Sequence, residues 1–325
     1  MRGRNAFIAA ALVAAALLLG GAIWVARDPD VVLRADFARQ RIGAGLQQAS
    51  VDVAGHRWVY AFNDDAPRDA PTVVMLHGFT GSKENWYPLA KRLHGRYRLV
   101  IPDLAGWGAS SRQPDADYGF VAQAERVAAF IEAVARQPGR QTVLLGHSMG
   151  GGIAALVAAR HPERVDRVGL LDAAGVRFAD NQFGIDVLAG RNPFSVRDVV
   201  TMHRYLDTVF FDEAAKPWIP WPADGIYIAG RVRAAAFEQR VLDKIGRSDE
   251  RFLPGDEAAN IHQPALLLWC RQDAVIDASA LELYAARVPQ ASKALLDGCG
   301  HMSLMEQPDA VAAAVVALIE RGKPR

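Results

Sequence analysis

One short stretch constrains the fold more than any other part of the chain. Ser148 lies in a G-x-S-x-G pattern, two residues after Gly146 and two before Gly150. An apolar run precedes this serine, and an alanine-rich run that ends at Pro162 follows it. These runs predict a buried strand, a tight turn and a helix. A strained turn in that context leaves no room for a β-carbon at either glycine and presents the serine hydroxyl as a nucleophile.

Strand-like and helix-like segments alternate along most of the chain. A short hairpin that turns near Gly55 comes first, and four apolar strands with helical segments between them follow within residues 71–172. The pattern resumes at Pro264 with two more strands, a helix between them and a last helix over 308–321. Such alternation predicts a mostly parallel sheet covered by helices on both faces.

The alternation is interrupted over about 173–260. This segment is too long for a simple crossover loop, and it is rich in phenylalanine, tyrosine and tryptophan. Long connections usually carry structure or function of their own, so we predict a helical cap insertion. Most of its aromatic side chains should pack against the body, and a few should line an apolar pocket between cap and sheet.

The first 26 residues differ from the rest. Arg2 and Arg4 precede an uncharged run over 5–26. Its residues 6–26 would be about 31 Å long as a helix, long enough to cross a bilayer core. Residues 1–26 therefore predict a membrane anchor, with cleavage as a signal sequence near 20–22 as the alternative. The arginines favour a cytoplasmic N-terminus and an extracytoplasmic body, periplasmic in a bacterium and secreted if the segment is cleaved.

Charge and composition exclude several classes of partner. The chain has 37 basic and 36 acidic residues, which argues against a nucleic-acid partner because such proteins usually carry a basic face. The C-x-x-C and H-E-x-x-H spacings of common metal sites are absent. The glycine string after Asp103 lacks the helix pattern of a dinucleotide site. We therefore predict neither a metal nor a cofactor.

A general base can be chosen from the position of each histidine. Reacting groups in open parallel sheets gather at the carboxyl ends of the strands. His301 follows the last strand, whereas other histidines precede strands, follow helices or lie in the insertion. His147 adjoins the serine, but neighbouring side chains in a strand point to opposite faces. The base is therefore predicted to be His301.

Three carboxylates compete for the acid that would orient this base. Asp273 closes the strand that begins the resumed pattern, Asp172 closes the preceding strand, and Asp277 lies four residues beyond Asp273. The order serine, aspartate, histidine along the chain favours Asp273. Its carboxylate would hold the imidazole of His301 in the productive tautomer.

Two backbone N–H groups are candidates for an oxyanion hole. His77, Gly78 and Phe79 follow the first parallel strand and lead into a helix. The N–H of Phe79 should point at the alkoxide that develops on a reacting carbonyl. The N–H of Met149 should do the same, because this residue begins the helix after the serine, where free amides and the helix dipole favour negative charge.

The motifs together resemble the α/β-hydrolase superfamily over residues 50–321. They are His77-Gly78-Phe79 and the segments 103–111, 146–151, 269–273 and 298–308. Within that superfamily the chain is most similar to membrane-anchored monoacylglycerol lipases and related bacterial lipases. The resemblance implies an α/β-hydrolase fold with a helical cap. It also implies a Ser148, Asp273 and His301 triad with oxyanion donors at Phe79 and Met149. Cys270 stands where the family usually has glycine.

The resemblance also implies a domain plan and an activity. We expect an anchor or signal sequence over 1–26, a juxtamembrane linker over 27–49, and a hydrolase domain over 50–325. The expected activity is hydrolysis of acyl glycerols or similar lipid esters through an acyl-enzyme. Two alternatives stay open: hydrolysis of a C–C bond in a ring-cleavage dienone or diketone, and a binding protein without enzymatic activity. The expected partners are a lipid ester and the membrane.

The two cysteines lie close to the predicted acid and base. Cys270 precedes Asp273 by three residues, and Cys299 precedes His301 by two. They form either a disulfide or a pair of buried thiols. The sequence favours thiols, because neighbouring parallel strand ends often lack the Cβ geometry that a disulfide needs.

Overall fold

The computed structural model describes residues 27–322 and, before them, the single positions 7, 13, 20, 21 and 25. The predicted anchor or signal sequence over 1–26 lies outside the described residues apart from those five positions. Among the residues that are described, none forms a helix with both the length and the apolar character needed to cross a membrane.

An eight-stranded sheet forms the centre of the described residues. The strands are β1 (Gln47–Val53), β2 (His56–Phe62), β3 (Thr72–Leu76), β4 (Arg98–Pro102), β5 (Thr142–His147), β6 (Arg167–Leu171), β7 (Ala265–Cys270) and β8 (Ser292–Leu296). Their order across the sheet is β1-β2-β4-β3-β5-β6-β7-β8. The β1–β2 and β2–β4 pairs are antiparallel, and all other neighbouring pairs are parallel. The predicted mostly parallel sheet is confirmed.

The central strands are buried on both faces. Strands β3, β5, β6 and β7 have no exposed residue, as expected where helices cover both sides of a parallel sheet. In β3, Val73 and Met75 belong to one hydrophobic core, and Val74 and Leu76 belong to the other. Because successive side chains of the strand point into opposite cores, the sequence shows an unbroken apolar run instead of alternating polarity.

Helices cover the two faces of the sheet and build a cap. Within residues 27–322 the α-helices are α1 (Val31–Gly43), α2 (Tyr87–Leu93), α3 (Phe120–Phe130), α4 (Met149–Arg160), α5 (Gln182–Leu188), α6 (Val199–Val209), α7 (Ala223–Arg247), α8 (Leu253–Asp256), α9 (Ser279–Ala285), α10 (Ser303–Glu306) and α11 (Pro308–Glu320). A π-helical turn, Ile131–Ala135, extends α3. Short 3₁₀ turns lie at Lys83–Trp86, Pro162–Arg164, Glu213–Ala215, Asp249–Phe252 and Glu257–Asn260.

The segment between β6 and β7 is helical and contains α5 to α8. Its longest helix, α7, contains a buried ion pair in which Arg231 Nε donates to Glu238 Oε1 over 2.9 Å. Nη2 of the same arginine donates to the carbonyl of Phe194 over 2.7 Å, which ties α7 to the loop before α6. Buried charges are tolerated when they are paired and hydrogen-bonded in this way.

The segment predicted as a linker contains a helix that contacts the rest of the fold. Helix α1 packs against α7 of the cap and α2 of the body. Just before it, Asp30 pairs with Arg233 of α7 over 3.1 Å. After it, Ala44 and Leu46 are buried in the same hydrophobic core as α2. The chain therefore enters the body of the fold alongside the cap.

A disulfide joins Cys270 to Cys299, with Cα atoms 5.3 Å apart. The expectation of two buried thiols is wrong. Cys270 pairs across the sheet with Leu296 of β8, not with Cys299. Beyond β8 the chain turns at Gly298, whose φ of 75° favours glycine, and this turn returns Cys299 to the end of β7. The poor geometry of directly paired strand ends therefore does not apply.

Candidate active site

Ser148 lies in a strained turn between β5 and α4. Its φ of 56° and ψ of −121° are unfavourable for a residue with a side chain, at a cost of about 1–3 kcal/mol. A β-carbon at Gly146 would overlap the carbonyl of Gly150, and one at Gly150 would overlap the carbonyl of Leu76. The two glycines of the pattern are therefore required by close backbone approach, as the sequence predicts.

His301 and Asp273 form a hydrogen-bonded pair. Nδ1 of His301 lies 2.8 Å from Oδ2 of Asp273, and both side chains are buried. Burial lowers the pKa of His301 to about 3, so the imidazole is neutral at physiological pH. A neutral ring that donates from Nδ1 to the carboxylate keeps Nε2 free to accept a proton.

Backbone groups orient the carboxylate of Asp273. Its Oδ1 accepts the N–H groups of Val275 over 2.8 Å and of Ile276 over 3.0 Å. Burial raises the pKa of Asp273, and these two N–H donors oppose that rise because they favour the charged form. Oδ2 is thereby directed at the imidazole.

The competing carboxylates do not contact His301. Asp277 accepts the N–H of Ser279 over 2.9 Å at the start of α9. Asp172 is fully buried, accepts the N–H of Cys270 over 3.0 Å and is hydrogen-bonded to the hydroxyl of Ser303. Burial and the nearby charge of Asp273 raise the pKa of Asp172 well above its usual range. The geometry therefore singles out Asp273 as the partner of the histidine.

Ser148 and His301 border the same cavity. In the part of the chain that the structure describes, no hydrogen bond joins Oγ of Ser148 to Nε2 of His301. Catalytic hydrogen bonds are often long before a substrate is bound. The structure thus brings the serine and the histidine to one cavity, with the aspartate behind the histidine.

The two predicted oxyanion donors are free. Within residues 27–322 neither the N–H of Phe79 nor the N–H of Met149 has a hydrogen-bond partner. The loop with Phe79 packs tightly on the serine turn, because a β-carbon at Gly78 would lie 2.9 Å from Cβ of Ser148. Two unpaired N–H groups beside a serine hydroxyl can stabilise an oxyanion.

His77 fixes the loop that carries Phe79. Its Nε2 accepts the N–H of Leu104 over 3.0 Å, so Nδ1 carries the hydrogen and donates to the carbonyl of Gly78 over 2.8 Å. Burial lowers the pKa of His77, which keeps the ring in this neutral form. This role of His77 could not be predicted from the sequence, because its partner Leu104 follows a different strand, β4.

His147 acts on the backbone of the histidine loop. Its Nε2 lies 2.7 Å from the carbonyl of His301, so Nε2 is the donor. Burial lowers its pKa to about 3. The imidazole of His147 therefore holds the backbone of His301, the predicted base, and does not itself serve as the base for Ser148.

Two cavities meet at Ser148. The smaller, of about 280 Å³, extends beneath the cap and is lined mainly by apolar side chains such as Met149, Val176 and Phe183. The larger, of about 600 Å³, contains His301 and is bordered by α1 and the loop before α7. Phe79 and Phe194 border both. The described residues hold no cluster of His, Cys, Asp and Glu arranged for a metal ion.

Sequence comparison places the chain in a family. A family model of the α/β hydrolase fold matches residues 71–308. The chain belongs to the α/β-hydrolase fold family. Lipase 3 of Moraxella sp. (strain TA144) is 30% identical to this hydrolase over 271 residues, which are 82% of each chain. Monoacylglycerol lipase ABHD6 of Rattus norvegicus is 26% identical over 299 residues, 89% of this chain and 86% of that one.

A solved structure described as a membrane phospholipase A, a bacterial virulence factor, is also similar. It matches this hydrolase with a TM-score of 0.83 and 35% sequence identity, and the match covers 95% of this chain and 97% of that chain. The relatives and the fold together confirm the resemblance inferred from the motifs. The chain is a carboxylic ester hydrolase of the lipase and esterase class.

Proposed function

We propose that this hydrolase cleaves lipid esters, acyl glycerols above all, through Ser148, His301 and Asp273. One observation carries the proposal. A strained serine, a buried histidine–aspartate pair and two free backbone N–H groups converge where an apolar cavity meets a wider one. These are the parts that acyl transfer to serine requires.

The proposed reaction follows from this arrangement. Oγ of Ser148 attacks the ester carbonyl while Nε2 of His301 takes its proton, and Asp273 stabilises the imidazolium that forms. The N–H groups of Phe79 and Met149 donate to the oxyanion. The imidazolium then protonates the leaving alcohol, which leaves an acyl-enzyme. A water molecule, activated by the same histidine, releases the acid.

The two cavities suit the two halves of a lipid ester. The smaller cavity is lined mainly by aromatic and aliphatic side chains, which fits an acyl chain. The larger cavity also offers polar groups, among them the hydroxyls of Thr80 and Tyr205, which fits a glycerol or other polar head group. Relatives named lipase, monoacylglycerol lipase and phospholipase support the same class of substrate.

We further propose that residues 1–26 anchor the enzyme and that the catalytic body lies on the extracytoplasmic side. In this plan 27–49 is the juxtamembrane linker and 50–325 the hydrolase domain, with its cap over about 173–260. Helix α1 begins five residues after the apolar run and borders the larger cavity. An anchor there would hold the cavity close to the lipid. The Cys270–Cys299 disulfide supports an oxidising compartment.

Substitution of the proposed triad tests the mechanism. Ser148→Ala, His301→Ala and Asp273→Asn should each lower kcat for a nitrophenyl ester on the order of 10⁴-fold. Asp172→Asn should have a much smaller effect, because its carboxyl group does not contact the imidazole. A deeper loss in Asp172→Asn than in Asp273→Asn would show that the acid is misassigned.

A substrate panel tests the proposed class. Mono-, di- and triacylglycerols, a phospholipid and a ring-cleavage dienone should be compared at equal enzyme concentration. We expect turnover of the acyl glycerols and none of the dienone. Preferential cleavage of the dienone would replace the proposal with a C–C bond hydrolase.

A further inference from the structure

The carboxylate of Glu306 accepts four backbone N–H groups from two separate parts of the chain. Its Oε1 accepts the N–H of Gly300 over 2.9 Å and of Met302 over 3.2 Å. Its Oε2 accepts the N–H of Phe211 over 2.9 Å and of Asp212 over 2.8 Å. A carboxylate has about four lone-pair sites, so the match between donors and acceptors is complete.

The two parts of the chain joined in this way are the loop of His301 and the cap. Gly300 and Met302 flank His301 directly, whereas Phe211 and Asp212 follow α6 of the cap. The N–H of Met302 also donates to the carbonyl of Val209 at the end of α6, over 3.1 Å.

The contact between cap and loop is close. A β-carbon at Gly300 would lie 2.8 Å from the backbone N of Phe211 and 3.2 Å from its Cβ. Only glycine therefore lets the cap backbone rest on the loop at this point. We call the joined segments, 209–212 of the cap and 300–306 of the loop, the cap–loop latch.

We propose that Glu306 is a positioning residue: its carboxylate closes the cap–loop latch and so places His301 for proton transfer only while the cap segment is seated. The proposal rests on the proposed role of His301 as general base. Glu306 itself touches no reacting atom. It acts through the backbone on either side of the imidazole.

The larger cavity couples the latch to substrate. Val209 and Phe210 border this cavity from the cap side, and Met302 borders it from the loop side, next to His301. A lipid ester bound there contacts both halves of the cap–loop latch. Displacement of the cap by an ill-fitting substrate would therefore disturb the base as well as the binding site, and a misplacement of about 1 Å can lower a rate by roughly 10²-fold.

Replacement of the carboxylate by an amide tests the loop side of the latch. Glu306→Gln keeps the shape but turns one acceptor oxygen into a donor that faces two N–H groups. We expect kcat for a soluble nitrophenyl ester to fall on the order of tenfold or more, with a smaller change in KM. The rate at which a fluorophosphonate labels Ser148 should fall by the same factor, because labelling also needs the base.

A matched control separates this effect from a general loss of charge. Glu282→Gln makes the same chemical change at an exposed carboxylate, which pairs with Lys293 over 3.0 Å. It should leave kcat and the labelling rate at wild-type values. A Glu306→Gln enzyme that unfolds at a lower temperature but keeps wild-type kcat and labelling rate when folded would show a merely structural role and overturn the proposal.

A pair of variants on the cap side tests the latch without any change near His301. Asp212 has a φ of −80°, within the range that proline adopts. Asp212→Pro removes the N–H that donates to Glu306, whereas Asp212→Ala removes the same side chain and keeps that N–H. We expect kcat of the proline variant to be several-fold lower than that of the alanine variant, with equal far-UV circular dichroism.

Equal kcat values in the two Asp212 variants would overturn the proposal even if Glu306→Gln does not fold. Failure of the proposed function looks different. In that case Ser148→Ala and His301→Ala would retain esterase activity, whatever the latch variants do.

Discussion

Removal of the disulfide should lower the free energy of unfolding by about 3 to 4 kcal/mol. The value follows from the sequence separation of 29 residues between Cys270 and Cys299. Cross-linking a loop of this length removes chain entropy from the unfolded state, and the reduced chain regains it. For a chain of this size, with an unfolding entropy of about 2.1 cal/mol/K per residue, the loss corresponds to a fall in Tm of roughly 5 °C.

The assay compares the wild-type protein with a Cys270→Ser, Cys299→Ser double variant, each with and without reductant. Reduction of the wild type should lower Tm to the value of the double variant, because both lack the cross-link. Reductant should not affect the double variant. Alkylation of the denatured protein, followed by mass measurement, should add two groups only after reduction.

Two results would refute this reasoning. Uptake of two alkyl groups without reductant would mean that both cysteines are free thiols in the protein as isolated. A double variant that unfolds at the wild-type temperature would mean that the cross-link does not restrict the unfolded chain as the entropy argument requires.

Three further predictions follow from the structure. Trp218 and Trp221 are 86% and 85% exposed on the loop that borders the larger cavity, so their joint change to alanine should reduce hydrolysis in lipid vesicles but not of a soluble ester; an equal loss on both would indicate a packing defect instead. A chain that begins at Val31 should keep its activity on soluble short-chain esters and leave the membrane fraction, whereas loss of all esterase activity would make residues 1–30 part of the catalytic fold. Burial lowers the pKa of His147 from 6.5 to about 3, so the unfolded state binds an extra proton below pH 6.5 and stability falls as pH falls. At pH 4.5 the titration of His147 should cost about 2.5 kcal/mol relative to neutral pH. Because burial lowers the pKa of His301 to about 3 as well, His147→Gln should reduce the dependence measured by denaturant unfolding by about half, and an unchanged dependence would contradict the prediction.

The sheet could be predicted because each parallel strand carries its own signal. Central strands need apolar side chains on both faces, and that requirement produces runs such as Val73–Val74–Met75 in the sequence. Parallel strands also place their carboxyl ends at one edge. Residues that follow different strands, such as Ser148 and His301, could therefore be grouped before any contact was known.

Contacts between distant segments could not be predicted in the same way. Glu306 stands in a motif next to His301, but its partners Phe211 and Asp212 are about 95 residues away in the cap. No periodicity links these segments, because the contact depends on how the cap rests on the body. The disulfide could not be predicted for a similar reason, because the position of Cys299 depends on the turn at Gly298.

Backbone strain at the carboxyl edge connects the fold to its chemistry. Residues with a side chain rarely adopt positive φ, yet Thr80, Ser148 and Asp172 have φ values of 58°, 56° and 46° after β3, β5 and β6. Each such residue costs about 1–3 kcal/mol and persists only where its surroundings over-determine it. Here the sheet does so: the N–H of Ser148 donates to Leu171 over 3.0 Å, and that of Asp172 donates to Leu268 over 2.9 Å. The same strand ends that carry the strain bring Ser148 beside the oxyanion loop, so burial of the central strands offsets the cost of the strained turn that holds the nucleophile.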